Sequence, residues 1–177
     1  MNLLGRVGAD STAFDWQDTQ GLSFSFGSRL STSGHLMPRH FLLQQGIDPE
    51  SHFSEVSYSG AHDKTARLVE KGEVALGAAN SHIVDTMFET RRLDPRQVRI
   101  LWGTSPYADY VWAVSPDTDQ AFVQRLFNAF LALSPLDERH VQILGPLDAG
   151  GFVPASLEDF TALREIAVSV GMLEGKD

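Results

Sequence analysis

Leu22-Ser23-Phe24-Ser25-Phe26-Gly27-Ser28-Arg29-Leu30-Ser31-Thr32-Ser33-Gly34-His35-Leu36-Met37-Pro38-Arg39-His40-Phe41 is the stretch whose reading decides the fold. From Leu22 to Gly27 apolar and polar residues alternate, the period of a β-strand. The chain then becomes polar. From Gly34 to Gln45 the pattern is helical, with Met37 and Phe41 on one face and Gly46 as the stop. Pro38 lies beyond the first turn if Ser33 is the cap, which predicts a kinked or widened helix start. Strand, polar turn and helix in that order are the opening of a β-α unit.

Working outward, the same alternation repeats. Glu55 to Tyr58 reads as a second strand and Asp63 to Lys71 as a helix ended by Gly72. Val74 to Ala79 reads as a third strand, followed by a helix carrying Ile83, Val84, Met87 and Phe88. Strands are expected again at Val98 to Trp102 and, after a turn-rich stretch through Pro106, at Tyr110 to Val114. The prediction is an α/β sheet with helical crossovers, whose strand ends are the natural ligand sites. Further on, Phe122, Leu126, Phe130 and Val123, Phe127, Leu131 form adjacent helical rows, so Thr118 to Leu133 is expected to be amphipathic and closed by Ser134-Pro135. Ser156-Leu157-Glu158-Asp159 resembles a capping box with Asp in place of Glu and opens a final helix that Gly171 can end. No internal repeat or low-complexity tract is found.

Composition narrows the function. The 177 residues are 42% apolar, enough to bury a core. No run approaches the roughly 20 apolar residues of a membrane-spanning helix. Met1 to Asp10 has neither the basic end nor the apolar run of a secretory signal. Cysteine is absent, which removes disulfides, thiolate metal sites and cysteine nucleophiles. The net charge of -9 argues against binding nucleic acid. An anion would have to be held by aimed local dipoles.

Ser31-Thr32-Ser33, three hydroxyl residues running from a strand end into a helix start, can offer such dipoles. Unpaired backbone N–H groups and the positive end of the helix dipole face outward there, and the hydroxyls add donors. The same residues can equally be an elaborate N-cap. Tyr58-Ser59-Gly60-Ala61-His62-Asp63 is a second strand end entering a helix, where His62 could donate a ring N–H. A histidine there can also be a surface or capping residue. Asn80-Ser81-His82 follows the third strand, so successive strand ends present polar groups to one sheet edge. Asp109 leaves the turn-rich stretch and reads as a ligand contact or a solvated loop carboxylate. Enzyme readings are weaker. A Ser31, His62, Asp109 triad has no G-x-S-x-G frame, H-E-x-x-H is lacking, and His35 and His40, five apart, do not share a helix face. No metal or cofactor is expected.

Phe24-Ser25-Phe26-Gly27-Ser28, Ser31-Thr32-Ser33-Gly34 with Pro38 and Arg39, Gly46-Ile47-Asp48-Pro49, Tyr58 to Asp63 and Gly77-Ala78-Ala79-Asn80-Ser81 together resemble the phosphonate-binding family of periplasmic solute-binding proteins. The likeness extends especially to its phosphite, phosphonate and selenate branch. It is dense from about Gly21 to Trp112 and looser after that, where Phe152-Val153-Pro154 still fits. The resemblance implies a type II periplasmic-binding fold, two α/β lobes closing on a ligand. It implies that Ser31, Thr32, Ser33 and His62 hold an oxyanion and that Asp109 reaches it, with Asn80 and Tyr58 at the same site. His82 stands where aminoalkylphosphonate binders place an acidic residue, which argues against a zwitterionic ligand.

On this resemblance residues 1–18 are left unassigned, 19–108 are the second lobe, and 109–177 are the hinge return and C-terminal helices of the first lobe. Most of the first lobe and the signal peptide are expected to be missing. The expected role is the periplasmic binding component of an ABC importer, working with a permease on a small tetrahedral oxyanion. A sensory module of the same fold is the alternative. The incomplete chain is expected to self-associate.

Overall fold

The computed structural model describes residues 1–6, 14–107 and 110–174. They fall into two compact units, one drawn from Met1–Asp109 and Ala162–Asp177, the other Tyr110–Thr161.

The first unit is built on a five-stranded sheet of β1 (Asn2–Arg6), β2 (Ser23–Phe26), β3 (Glu55–Tyr58), β4 (Leu76–Ala79) and β5 (Val98–Gly103), in the order β3-β2-β4-β1-β5. β2 runs parallel to β3 and to β4, whereas β1 is antiparallel to both β4 and β5. The sheet is therefore mixed, its strands mainly parallel in direction, with β1 alone running against the other four. The stretch left unassigned in the sequence supplies its one reversed strand. β1 is an interior strand and covered on both sides: Leu3 and Leu4 are buried in opposite cores. A strand buried on both faces shows no alternation, and here only two large apolar residues mark it.

Helices cover both faces. α1 (Met37–Gln44) and α2 (Pro49–His52) lie on the side where Leu42, Ile47 and Phe53 pack with Leu3, Phe24, Phe26 and Ala78. α3 (His62–Lys71) and α4 (Ser81–Glu89) lie on the other, where Ala66, Val69, Val84 and Met87 pack with Leu4, Ala79 and Val98. Phe24 stacks on Phe53 with ring centroids 4.6 Å apart. Full burial of each such side chain stabilises the fold by about 1.5–3 kcal/mol relative to exposure. α3 approaches β4 closely because Gly77 has no side chain: a Cβ there would stand 2.5 Å from Thr65 Cγ2 and 3.0 Å from Val69 Cγ2.

The widened helix start predicted at Pro38 is present. Residues Thr32–Leu36 form a π-helical turn before α1, with the N–H of Leu36 donating to Ser31 O at 3.0 Å. Proline lacks the N–H that would normally reach back to the carbonyl of Gly34. That carbonyl instead accepts from Gly27 N–H at 2.7 Å.

In the second unit, α5 (Gln120–Leu131) is capped by Asp119, whose Oδ1 accepts from Phe122 N–H at 2.8 Å. The amphipathic helix is present, yet none of its residues is buried. Trp112, Phe130 and Phe152 form a small aromatic cluster, with Phe130 and Phe152 centroids 4.7 Å apart. A short helix, α6 (Glu138–Leu144), was not read from the sequence. The expected strand at Tyr110 to Val114 is absent. An apolar run becomes a strand only where another strand pairs with it, and none of the described pairings includes residues 110–114. The final helix, α7 (Thr161–Ser169), counts with the first unit from Ala162 on, and it is preceded by a turn in which Ser156 N–H donates to Asp159 Oδ2 at 2.7 Å. Asp159 thus performs the back-bonding read into the capping box.

Candidate oxyanion site

Because β2, β3 and β4 are parallel neighbours, their C-terminal ends share one edge of the sheet. From that edge the chain passes into the π-helical turn, α3 and α4 respectively. Three helix starts, each with first-turn N–H groups that no preceding carbonyl can accept, are gathered at one place.

Ser31 is the N-cap of the first: its Oγ accepts from Gly34 N–H at 3.0 Å. Thr32 and Ser33 are the first two residues of the turn, and Ser33 is buried. Asn80 caps α4 through Oδ1, which accepts from Ile83 N–H at 3.2 Å, and its Nδ2 donates to Ser33 Oγ at 3.4 Å. Its own N–H donates to His62 Nδ1 at 3.2 Å. That bond places the proton of a neutral His62 ring on Nε2, which makes Nε2 a donor. His62 is also close to the turn, since a Cβ on Gly34 would stand 2.9 Å from its Cε1. Ser33, Gly34, His62 and Asn80 are therefore one cluster. The contact between Ser33 and Asn80, 47 residues apart in the chain, and that between Asn80 and His62 close it.

Tyr58 joins a different network. Its hydroxyl donates to His35 Nε2 at 3.1 Å and accepts from Arg39 Nη2 at 3.3 Å. Arg39 also donates from Nε to His35 Nε2 at 3.3 Å and forms a bidentate pair with Glu50, Nη1 to Oε2 being 2.9 Å. The guanidinium of Arg39 holds the Glu50 carboxyl down at about 2. His35 is buried, and burial lowers its basicity despite the Arg29 carbonyl on its other nitrogen. Sequence reading missed the His35, Arg39 and Glu50 roles. Arg39 and Glu50 lie eleven residues apart on separate short helices, a spacing that marks no face. Asp109 lies outside the described residues.

The edge offers neutral donors and no carboxylate among the contacts above, a set suited to the bare oxygens of an anion. No group of His, Cys, Asp and Glu that could hold a metal occurs among the described residues. A cavity of about 400 Å³, lined by Gly5, Arg6, Asp15, Asp18 and Arg99 among others, lies at the opposite end of β4, beside Leu76.

A family model described as ABC transporter, phosphonate, periplasmic substrate-binding protein matches residues 6–160. The chain belongs to this family. Among its relatives, the probable ABC transporter phosphite binding protein PhnD1 of Prochlorococcus marinus (strain MIT 9301) is 32% identical over 153 residues, 83% of this chain and 51% of that protein. The phosphate-import protein PhnD of Mycolicibacterium smegmatis is 26% identical over 121 residues, covering 64% of this chain and 38% of that protein. The solved structure of the Prochlorococcus PhnD1 in complex with methylphosphonate matches 97% of this chain and 66% of its own, with a TM-score of 0.89 and 27% identity. The α/β fold with flanking helices is thus the fold of this family's binding proteins. The chain spans about half the length of the first of these relatives. No helix among the described residues is long and apolar enough to cross a membrane.

Proposed function

We propose that this chain binds a small tetrahedral oxyanion as the solute-binding component of an ABC importer. The ligand class is phosphonate, phosphite, phosphate or selenate. The observation that carries the reading is the convergence of Ser33, Asn80 and His62 at a shared edge where three helix starts meet. A helix start stabilises an anion through its N–H groups and dipole, and neutral hydroxyl and imidazole donors add charge-assisted bonds. Thr32 and Ser33 hold the anion with His62 Nε2–H, while Ser31 fixes the turn. Asp109 accepts from a protonated oxygen of the ligand, and Tyr58 acts from behind the turn. Residues 19–108 are the anion-gripping lobe and 109–177 return toward the other. The likeness to PhnD1 and to the phosphate-import protein supports this ligand class.

On this reading the chain works outside the cytoplasmic membrane with a permease and performs no chemistry on its ligand. The test is a titration of residues 1–177 with inorganic phosphate, phosphite, methylphosphonate and selenate, followed through the amide resonances of Thr32 and Ser33. Saturable shifts at those amides are expected for at least one anion and not for chloride. Resonances that stay fixed for all of them would overturn the assignment.

A further inference from the structure

The first turn of the anion site closes on its own backbone, the N–H groups of His35 and Leu36 both donating to Ser31 O. Ser28 O accepts from Ser31 N–H at 3.0 Å, and Ser31 caps Gly34. Between Gly27 and Ser31 the loop is tied to the body of the unit through the ring of His35. A carbonyl oxygen can only accept, so the 2.8 Å contact between His35 Nδ1 and Arg29 O fixes the proton on Nδ1. Nε2 is then an acceptor and takes bonds from both Tyr58 Oη and Arg39 Nε. Tyr58 belongs to β3, Arg39 to α1, and Arg39 is in turn anchored on Glu50 of α2. The ring packs against the stacked pair Phe26 and Tyr58 in T-shaped contacts, with centroids 4.9 Å from each. The guanidinium of Arg29 lies over the Tyr58 ring, 3.8 Å from its centroid, so His35 holds the backbone of Arg29 and Tyr58 its side chain. Every bond in this chain has one consistent direction when His35 is neutral.

We propose, resting on the oxyanion reading above, that His35 is the positioning residue of the anion turn: it holds the Arg29 carbonyl against β3 and α1 and so sets where the Thr32 and Ser33 donors point. The part of the ring that matters is Nδ1–H, since that atom alone reaches the loop. His35 itself touches no ligand.

The two halves of the ring can be separated. In His35→Asn the side-chain Nδ2 stands near the Nδ1 position and can still donate to Arg29 O, while the contact with Tyr58 and Arg39 is lost. In His35→Gln the terminal amide reaches toward Tyr58 and Arg39 and leaves Arg29 O without its donor. His35→Phe removes both. The readouts on residues 1–177 are the Thr32 and Ser33 amide resonances without ligand and the Kd for inorganic phosphate and for phosphite. Phe and Gln variants are expected to move both resonances and to weaken anion binding roughly tenfold, the scale of one lost hydrogen bond, with Asn close to the parent. Parent-like affinity and unmoved resonances in the Gln variant would overturn the proposal, as would an Asn variant no better than Gln. Should the Phe variant fail to fold, the Asn and Gln pair decides alone. If the parent binds neither anion, the oxyanion reading falls, and the ligand-free resonances still decide whether His35 positions the turn.

Discussion

The N–H of Gly27 donates to the carbonyl of Gly34 at 2.7 Å, which closes the strand end of β2 onto the helix start it feeds. Their backbones approach so closely that a Cβ on Gly34 would stand 3.2 Å from Gly27 Cα and 2.9 Å from His62 Cε1. The bond exists because Pro38 cannot use that carbonyl. One proline thus widens the turn and attaches it to the sheet.

Gly34→Ala is therefore expected to destabilise the protein by about 1–3 kcal/mol, as an overpacked site does, and to displace the His62 ring. Urea unfolding gives the first quantity and the His62 ring resonances the second. A variant with parent stability and unshifted His62 resonances would show that the site has slack the geometry does not suggest.

Thr32→Ala and Ser33→Ala should each weaken oxyanion binding by about 1–3 kcal/mol, the cost of removing one donor from a desolvated anion. Ser33 Oγ already accepts from Asn80 Nδ2, so its own O–H is oriented to donate elsewhere. Calorimetry with phosphite checks this. Unchanged affinity in both variants would remove the hydroxyl turn from the site.

His62→Ala should lower affinity and also cost stability, because the Asn80 N–H loses the Nδ1 acceptor described above. His62→Gln keeps a donor within reach and is expected to recover part of the affinity. If the Ala variant binds as the parent does, His62 serves only to hold Asn80.

Two of the groups that make stability depend on pH are His35 and Glu50. His35 takes up its proton below the ordinary value of 6.5, first because it is buried, with Arg39 and Arg29 repelling the cation, and the Arg29 carbonyl and Glu50 opposing. The unfolded chain then binds more protons as the pH falls below 6.5, so stability present above it is lost on acidification through the folded value. Glu50, held at about 2 against an ordinary 4.5, adds a second loss between those values. Its side chain is 55% exposed, so this limb should shrink in high salt. Denaturant midpoints measured across pH should show the first limb shrink in His35→Asn and the second in Glu50→Gln. Profiles superimposable on the parent would contradict the assignment.

Phe122 and Phe127 of α5 are 48% and 42% exposed, and Leu136 and Leu157 nearly fully so. Apolar surface of this kind promotes association. Light scattering on residues 1–177 should show mass rising with concentration, and Phe127→Glu should reduce it. A parent that stays monomeric at high concentration would refute the expectation.

Much of this molecule is legible in local pattern, because local pattern reports what a segment does by itself. Period-two alternation at Phe24 and Phe26, the helical rows of α5, Gly72 after Lys71 and the proline at 38 each act over a few residues, and each element stands where that spacing puts it. The motif order from Phe24 to Ser81 was enough to identify the family. Other features depend on partners distant in the chain. Asn2–Arg6 becomes an interior strand only because β4 and β5 leave a slot between them, and Tyr110 to Val114, with a better strand pattern, finds no ladder. Tyr58 looks like a site residue beside His62, yet sheet order and helix packing turn its hydroxyl to His35 and Arg39. Local spacing selects backbone conformation; which polar groups meet is decided by long-range packing, since each buried donor must find an acceptor wherever the folded chain places one.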